Sequence, residues 1–318
     1  MGFSSGCSFD HGEIWREGKE NMPNRNLLNN VLVALLFALG LSSAAMSQTA
    51  DNSKPQQGSS TLNPWKYHPT DRAVGAGGPA PKRDITGTWA GPGSGANVPR
   101  GTNAQEPTAP PLTPLGQQLY SMNKPIGKYS PGGTNDPHTR YCDPFGFPQN
   151  MTNEIRGMTI TNMGNRTFIL IQYMDQWREI WTDGRALPTN VGGAGKDALD
   201  PKYNGYSVGH WEDDYTFVVD TTGLEPSTWT AKNGYPHSID AHVQERFHRD
   251  DKNDLTLTIT MDDPKLYTKQ FDLGTEHFRW IPNQVLDEFT CIPSQVQEYL
   301  NELGDPAGSD PNAAPQRR

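Results

Sequence analysis

Cysteine is scarce in this chain, three among 318 residues, and the acid excess is unbroken by any basic run, giving a net charge of −9. The second fact excludes nucleic acid as a natural partner. Neither Cys142 nor Cys291 has a CxxC or CxH neighbour, so the spacing of a structural zinc site is missing. Long apolar runs are missing too. The one uninterrupted run, 31–41, has about eleven residues, too short to span a bilayer. A mean hydropathy of −0.72 excludes a polytopic membrane protein. There is no Gly-x-Ser-x-Gly elbow for a nucleophilic serine. Gly192-Gly193-Ala194-Gly195 neither follows a strand nor opens a helix, so it makes no phosphate loop. Nothing in the sequence asks for a cofactor.

What is present begins with an export signal. Met22-Pro23-Asn24-Arg25 supplies a positive start, 31–41 the apolar core, and Ser42-Ser43-Ala44-Ala45-Met46-Ser47 the small residues before a cut after Ala45 or Ser47. An N-terminal membrane anchor is the rival reading. No cysteine lies directly after the apolar core, which argues against a lipid anchor. Residues 1–21 read as translated leader, because Glu17-Gly18-Lys19-Glu20 can be encoded by a purine-rich ribosome-binding site upstream of a true start at Met22. In that reading Cys7, His11 and Trp15 carry no function. Residues 48–83 are polar and rich in Pro, Gly and Ser, a flexible linker. Residues 84–303 form the folded domain and 304–318 a disordered tail. In an oxidising compartment Cys142 and Cys291 are expected to pair, joining the loop before the sheet to the segment after it. Closing so long a loop is worth about 4–5 kcal/mol in the chain-entropy model. Two free thiols are the alternative.

With 32 glycines and 27 prolines, turns are many and long helices few. Strand patterns occur at 84–89, 155–161, 167–174, 176–182, 206–211, 215–220, 241–249, 255–261 and 267–271, with 277–281 as a candidate last strand. Met163-Gly164-Asn165 and Asp183-Gly184-Arg185 supply turns, and 187–202 and 225–236 are excursions. Thr113 before Pro114 starts a short helix, and Ser294 is placed as the cap of a C-terminal one. Many short strands in succession predict an all-β fold: a single antiparallel up-and-down barrel of about eight or nine strands. Gly87-Thr88-Trp89 on the opening strand is similar to the Gly-x-Trp of lipocalins and sits where a calycin-like barrel would place it.

Over 84–303 the chain resembles a large family of uncharacterised secreted bacterial proteins of the soil acidobacterial and proteobacterial type. The resemblance is carried by Asp84-Ile-Thr-Gly-Thr-Trp89, Pro111-Leu-Thr-Pro-Leu-Gly-Gln-Gln-Leu-Tyr120, Cys142-Asp-Pro-Phe-Gly-Phe-Pro148, Trp181-Thr-Asp-Gly-Arg185-Ala-Leu-Pro188 and Gly205-Tyr-Ser-Val-Gly-His-Trp211. His237-Ser238, Glu245-Arg246-Phe247, Asp263-Pro264, Tyr267-Thr-Lys269 and Glu288-Phe-Thr-Cys291 add to it. Asp213-Asp214 and Gln149 stand where members of that family often carry Gly-Asp and Arg. The resemblance implies export and fold and brings no reaction with it.

Glu245 is the strongest pointer to a site. Period-two alternation puts it on one face with Ala241, Val243 and Phe247. A carboxylate among inward apolar residues is expensive to bury unless it is paired or protonated. It is expected to be inward, buried and hydrogen-bonded to Arg178, Arg185, His210 or His237. Parity also groups Trp177 with Glu179 and Trp181, Tyr206 with Val208 and His210, and Tyr215 with Phe217 and Val219. If these faces line one lumen, it is aromatic, and Trp177, Arg178, Trp181, Arg185, Tyr206 and Phe217 would bind a small apolar or aromatic molecule. Alternatively, Glu245 with His210 or His237 would move protons in a cofactor-free hydrolase, isomerase or lyase. The scaffold readings stand beside these: an ion pair for Glu245, a core position for His210, a loop cap for His237. His242 and His248 alternate onto the solvated face, so a metal site with His237 is not expected.

Overall fold

A computed structural model describes residues 77–91, 110–125, 128, 133–152, 157–282 and 286–304. The leader, the export signal, nearly all of the linker and the tail beyond 304 lie outside the described residues.

Alternation of apolar and polar side chains is what makes the wall. Nine strands follow one another in chain order: β1 (Gly87–Ala90), β2 (Gly157–Met163), β3 (Arg166–Ile171), β4 (Gln176–Trp181), β5 (Tyr206–Trp211), β6 (Thr216–Thr222), β7 (His242–Arg249), β8 (Asp254–Asp262) and β9 (Phe271–Trp280). Each pairs with the next, and β9 returns to β1, closing the barrel. Closure leaves no unpaired sheet edge. The inward side chains form one continuous apolar cluster that includes Trp89, Phe147, Met158, Ile169, Phe217, Val243, Leu257 and Phe278.

One pair departs from the up-and-down expectation. β4 and β5 run parallel, with Ile180 opposite Ser207 and Trp181 opposite Val208, while every other pair is antiparallel. The cause is parity of another kind. Strands that alternate in direction cannot close a ring when their number is odd, so one neighbouring pair must share direction. The excursion 182–205 provides the return, since a parallel connection must carry the chain back along the barrel. The two strand patterns expected at 267–271 and 277–281 merge. β9 is one long strand with a bulge opposite Ile259 and Thr260, and Tyr267 lies before it, bridged to Leu112.

Helices decorate the barrel. In α1 (Pro114–Met122) the Thr113 side chain accepts from the Gly116 amide at 3.1 Å, as the sequence predicts. A Cβ at Gly116 would sit 2.2 Å from the Leu266 carbonyl oxygen, so only glycine lets α1 approach that loop. Short helices α2 (Pro137–Tyr141) and α3 (Gln149–Thr152) precede β2. The C-terminal helix α4 (Pro293–Tyr299) runs into a π-helical turn, Leu300–Gly304. Its N-cap is Ile292, without a side-chain cap, rather than Ser294; Pro293 needs no amide partner at the first helical position. No helix among the described residues is long and apolar enough to cross a membrane.

A disulfide joins Cys142, at the end of α2, to Cys291, before α4, with Cα atoms 5.5 Å apart. Next to it, His138 Nε2 lies 3.0 Å from the Tyr173 hydroxyl, Phe145 stacks on Tyr173, and Phe289 packs on the same ring. Covalent and aromatic contacts thus hold the segments before and after the sheet together.

Candidate functional site

Among the described residues, the lumen carries one fully buried ion pair. Arg178 of β4 points inward, and its Nη1 and Nη2 donate to Glu245 Oε1 at 2.8 Å and Oε2 at 2.7 Å. The side chains are 1% and 0% exposed. Glu245 is therefore inward and buried as expected, and Arg178 is its partner among the four expected. The guanidinium lies 3.8 Å above the Phe147 ring, and its Nη2 reaches Ser207 Oγ at 3.5 Å. Ser207 in turn shares a 2.8 Å hydrogen bond with Thr221. Two parallel charge-assisted bonds in a dry interior fix the pair in a single geometry. Arg178 Nε, by contrast, has no partner.

Much of the expected aromatic lining sits outside. On β4 the inward residues are Gln176, Arg178 and Ile180, and Trp177 is 59% exposed. Trp181 lies between Arg185 at 3.3 Å and Arg166 at 4.1 Å, with Arg166 also donating to Glu179 at 2.5 Å. Arg185 pairs with Asp183 at 2.7 Å on the surface, not with Glu245. On β5 the lumen face holds Ser207, Gly209 and Trp211. His210 is exposed on the other side, and Tyr206 donates to the Asp200 carbonyl at 2.8 Å under the excursion. The parity expectation for β4 and β5 was thus one residue out of step, and that for β6 and β7 was right. Of the expected site residues, the lumen gathers Arg178, Phe217 and Glu245. Gly209 makes room for Phe217: a Cβ there would lie 2.4 Å from the ring tip.

His237 is buried and turned toward Thr228 Oγ1, 2.8 Å from Nε2. Burial pushes its pKa down, opposed by the Ser238 carbonyl and the charges of Asp263 and Glu225. The Ser238 hydroxyl donates to Asp263 Oδ1 at 2.8 Å and its amide to Oδ2 at 2.6 Å. That hydroxyl proton is committed to a carboxylate, so Ser238 and His237 form no nucleophile–base pair. The cluster ties the turn before β7 to the turn after β8, and His242 and His248 lie on the outer face of β7.

Two polar features escaped the sequence reading. At α3, Asn150 Nδ2 donates to Gln176 Oε1 at 2.9 Å and Asn204 Oδ1 at 2.8 Å, leaving Asn150 Oδ1 and Gln176 Nε2 buried without partners. The second is Glu276 on β9. It stands directly opposite Leu257 and alternates with Phe278, so it faces the lumen. It is 5% exposed and makes no hydrogen bond or ion pair with any described residue. Burial alone pushes its pKa up to about 7. The available signal was the one that found Glu245, a carboxylate at period two among Phe278 and Trp280.

Glu276 makes stability depend on pH. Its carboxyl is raised from 4.5 to about 7, so its stabilising contribution is complete below about 4.5 and is lost as pH rises through about 7. At roughly 1.4 kcal/mol per pH unit this amounts to about 3 kcal/mol. Glu276→Gln is therefore expected to unfold like the parent at pH 5 and to be more stable at pH 8.5, in urea titrations at each pH. A variant less stable than the parent at pH 8.5 would contradict the assignment. His237 works in the opposite window, its neutral ring stabilising above 6.5 and losing that effect as pH falls, and comparison at equal pH cancels it.

No family model matches the chain, and no curated protein matches it either.

Proposed function

We propose that this is an exported barrel protein, of the secreted bacterial family it resembles, that binds a small molecule with an apolar or aromatic body in its lumen. The carrying observation is Glu276, a carboxyl on an otherwise apolar stretch of lumen wall with no partner among the described residues. Buried polar groups in folded proteins are nearly always hydrogen-bonded, and one left open on a barrel interior is what a ligand would complete. The Cys142–Cys291 disulfide supports an oxidising compartment, the periplasm or the outside. The reading as a cofactor-free hydrolase, isomerase or lyase on Glu245 has less support. Arg178 occupies both Glu245 oxygens, His210 is on the outer face, and His237 is bonded to Thr228.

The test is titration of the refolded or exported protein with N-phenyl-1-naphthylamine, an uncharged fluorescent probe, followed by displacement with small aromatic compounds. Saturable one-to-one binding with transfer of excitation from the protein's tryptophans is expected. A response that stays linear in probe concentration would remove the lumen reading.

A further inference from the structure

We propose that the lumen ligand carries a cationic nitrogen, a protonated amine or amidine on an apolar body, and that Glu276 is the group that receives it. This rests on the lumen-binding reading above. It turns on supply and demand for charge at a mostly buried carboxyl.

Glu276 is nine-tenths buried, and its cross-strand partner on β8 is Leu257, flanked on the same face by Leu255 and Ile259. On its own strand its inward neighbours are Leu273 and Phe278. β1, the other neighbour of β9, presents Trp89, and α3, which packs against β9, presents Gln149, Asn150 and Met151. None of these is titratable or charged. The cations that the fold does bring inside are committed elsewhere. Arg178 is held by Glu245. Arg249 donates to the carbonyls of Asp84, Asp251 and Lys252 and lies over Trp89. Arg279, on the outer face of β9, pairs with Asp254. The described residues therefore supply no counterion for this carboxylate.

Ligand chemistries differ sharply in what they do for such a group. A second carboxylate would add like charge at short range, which is repulsive in a low-dielectric site. A neutral body would leave the ionised carboxylate desolvated. A protonated amine supplies both the charge and the donors, and aromatic walls accept its apolar part. Long-range attraction works in the same direction, since acids outnumber bases 36 to 27.

Three probes on one aromatic frame make the test: 2-(1-naphthyl)ethylamine, 2-(1-naphthyl)ethanol and 1-naphthylacetate, titrated calorimetrically at pH 6 and pH 8.5 against the parent and Glu276→Gln. At pH 8.5 the amine is expected to bind the parent at least tenfold tighter than the alcohol, and the acetate least well. That advantage should shrink at pH 6, where the carboxyl holds its proton, and vanish in Glu276→Gln, which should bind the amine and the alcohol about equally at both pH values. Equal binding of amine and alcohol to the parent would overturn the cationic ligand while leaving the lumen reading in place. So would an amine preference that survives in Glu276→Gln, or alcohol binding that becomes the tightest at pH 6. Failure of all three probes to bind would remove the lumen reading and this inference with it.

Discussion

Glu245→Gln is expected to lower the free energy of unfolding by about 3–5 kcal/mol. The reason is what remains behind. Arg178 would keep its full charge at 1% exposure, with its two strongest hydrogen bonds to a carboxylate reduced to a contact with a neutral amide. Its Nε already lacks a partner, and its other contacts are the Phe147 face and a long bond to Ser207. Nothing else in its described surroundings carries a negative charge to replace Glu245. For a domain of this size a loss of that order lowers the melting temperature by roughly 10 °C.

The pair is expected to behave as a unit. Arg178→Met should cost about as much as Glu245→Gln, because it strands the carboxylate. Removing both in Arg178→Met/Glu245→Leu should recover most of the loss, since an apolar pair of similar volume avoids desolvating two ions. Urea unfolding of the parent, the two singles and the double closes the cycle and isolates the coupling. Single losses under about 1 kcal/mol would sink this reading and move Glu245 from scaffold to site. A double variant that unfolds as readily as the singles would show that Arg178 also organises α3 through Phe147.

The same pair marks how far the sequence could be read. Glu245 was legible because β7 alternates cleanly: Val243, Glu245 and Phe247 are fully buried, while Arg246 reaches outward to Glu212. β4 was illegible by the same rule. Trp177 and Trp181 outrank Arg178 in hydrophobicity, so parity put them inside. The barrel has room there for Ile180 and an arginine that meets a carboxylate, and the tryptophans instead pack outside, Trp177 on Phe168 and Trp181 under the guanidinium groups of Arg166 and Arg185. β5 failed for a related reason, because Gly209 carries no side chain to advertise that its side is the inner one. The parallel β4–β5 pair was hidden because an excursion looks the same in sequence whether it reverses the chain or returns it. Glu276 was missed because the reading cut β9 in two, which placed the carboxylate outside any strand and removed it from the parity test.

Opening the Cys142–Cys291 disulfide is expected to destabilise the folded chain by about 5 kcal/mol. The bond closes a loop across 149 residues, and nearly the whole barrel from β2 to β9 lies inside it. In the unfolded chain that closure removes many conformations. In the folded chain it removes few, since His138, Phe145, Tyr173 and Phe289 already hold the two segments side by side. The effect therefore falls mostly on the unfolded state, and Cys142→Ser/Cys291→Ser should keep the sheet's circular dichroism while melting at least 10 °C lower. Reduction of the parent should reproduce the variant. Peptide mapping of exported protein without reductant should recover 142 and 291 in one linked species. Two free thiols there would contradict the bond. A melting temperature unmoved by reduction would mean that the aromatic cluster alone holds the two ends, and that loop entropy contributes nothing measurable.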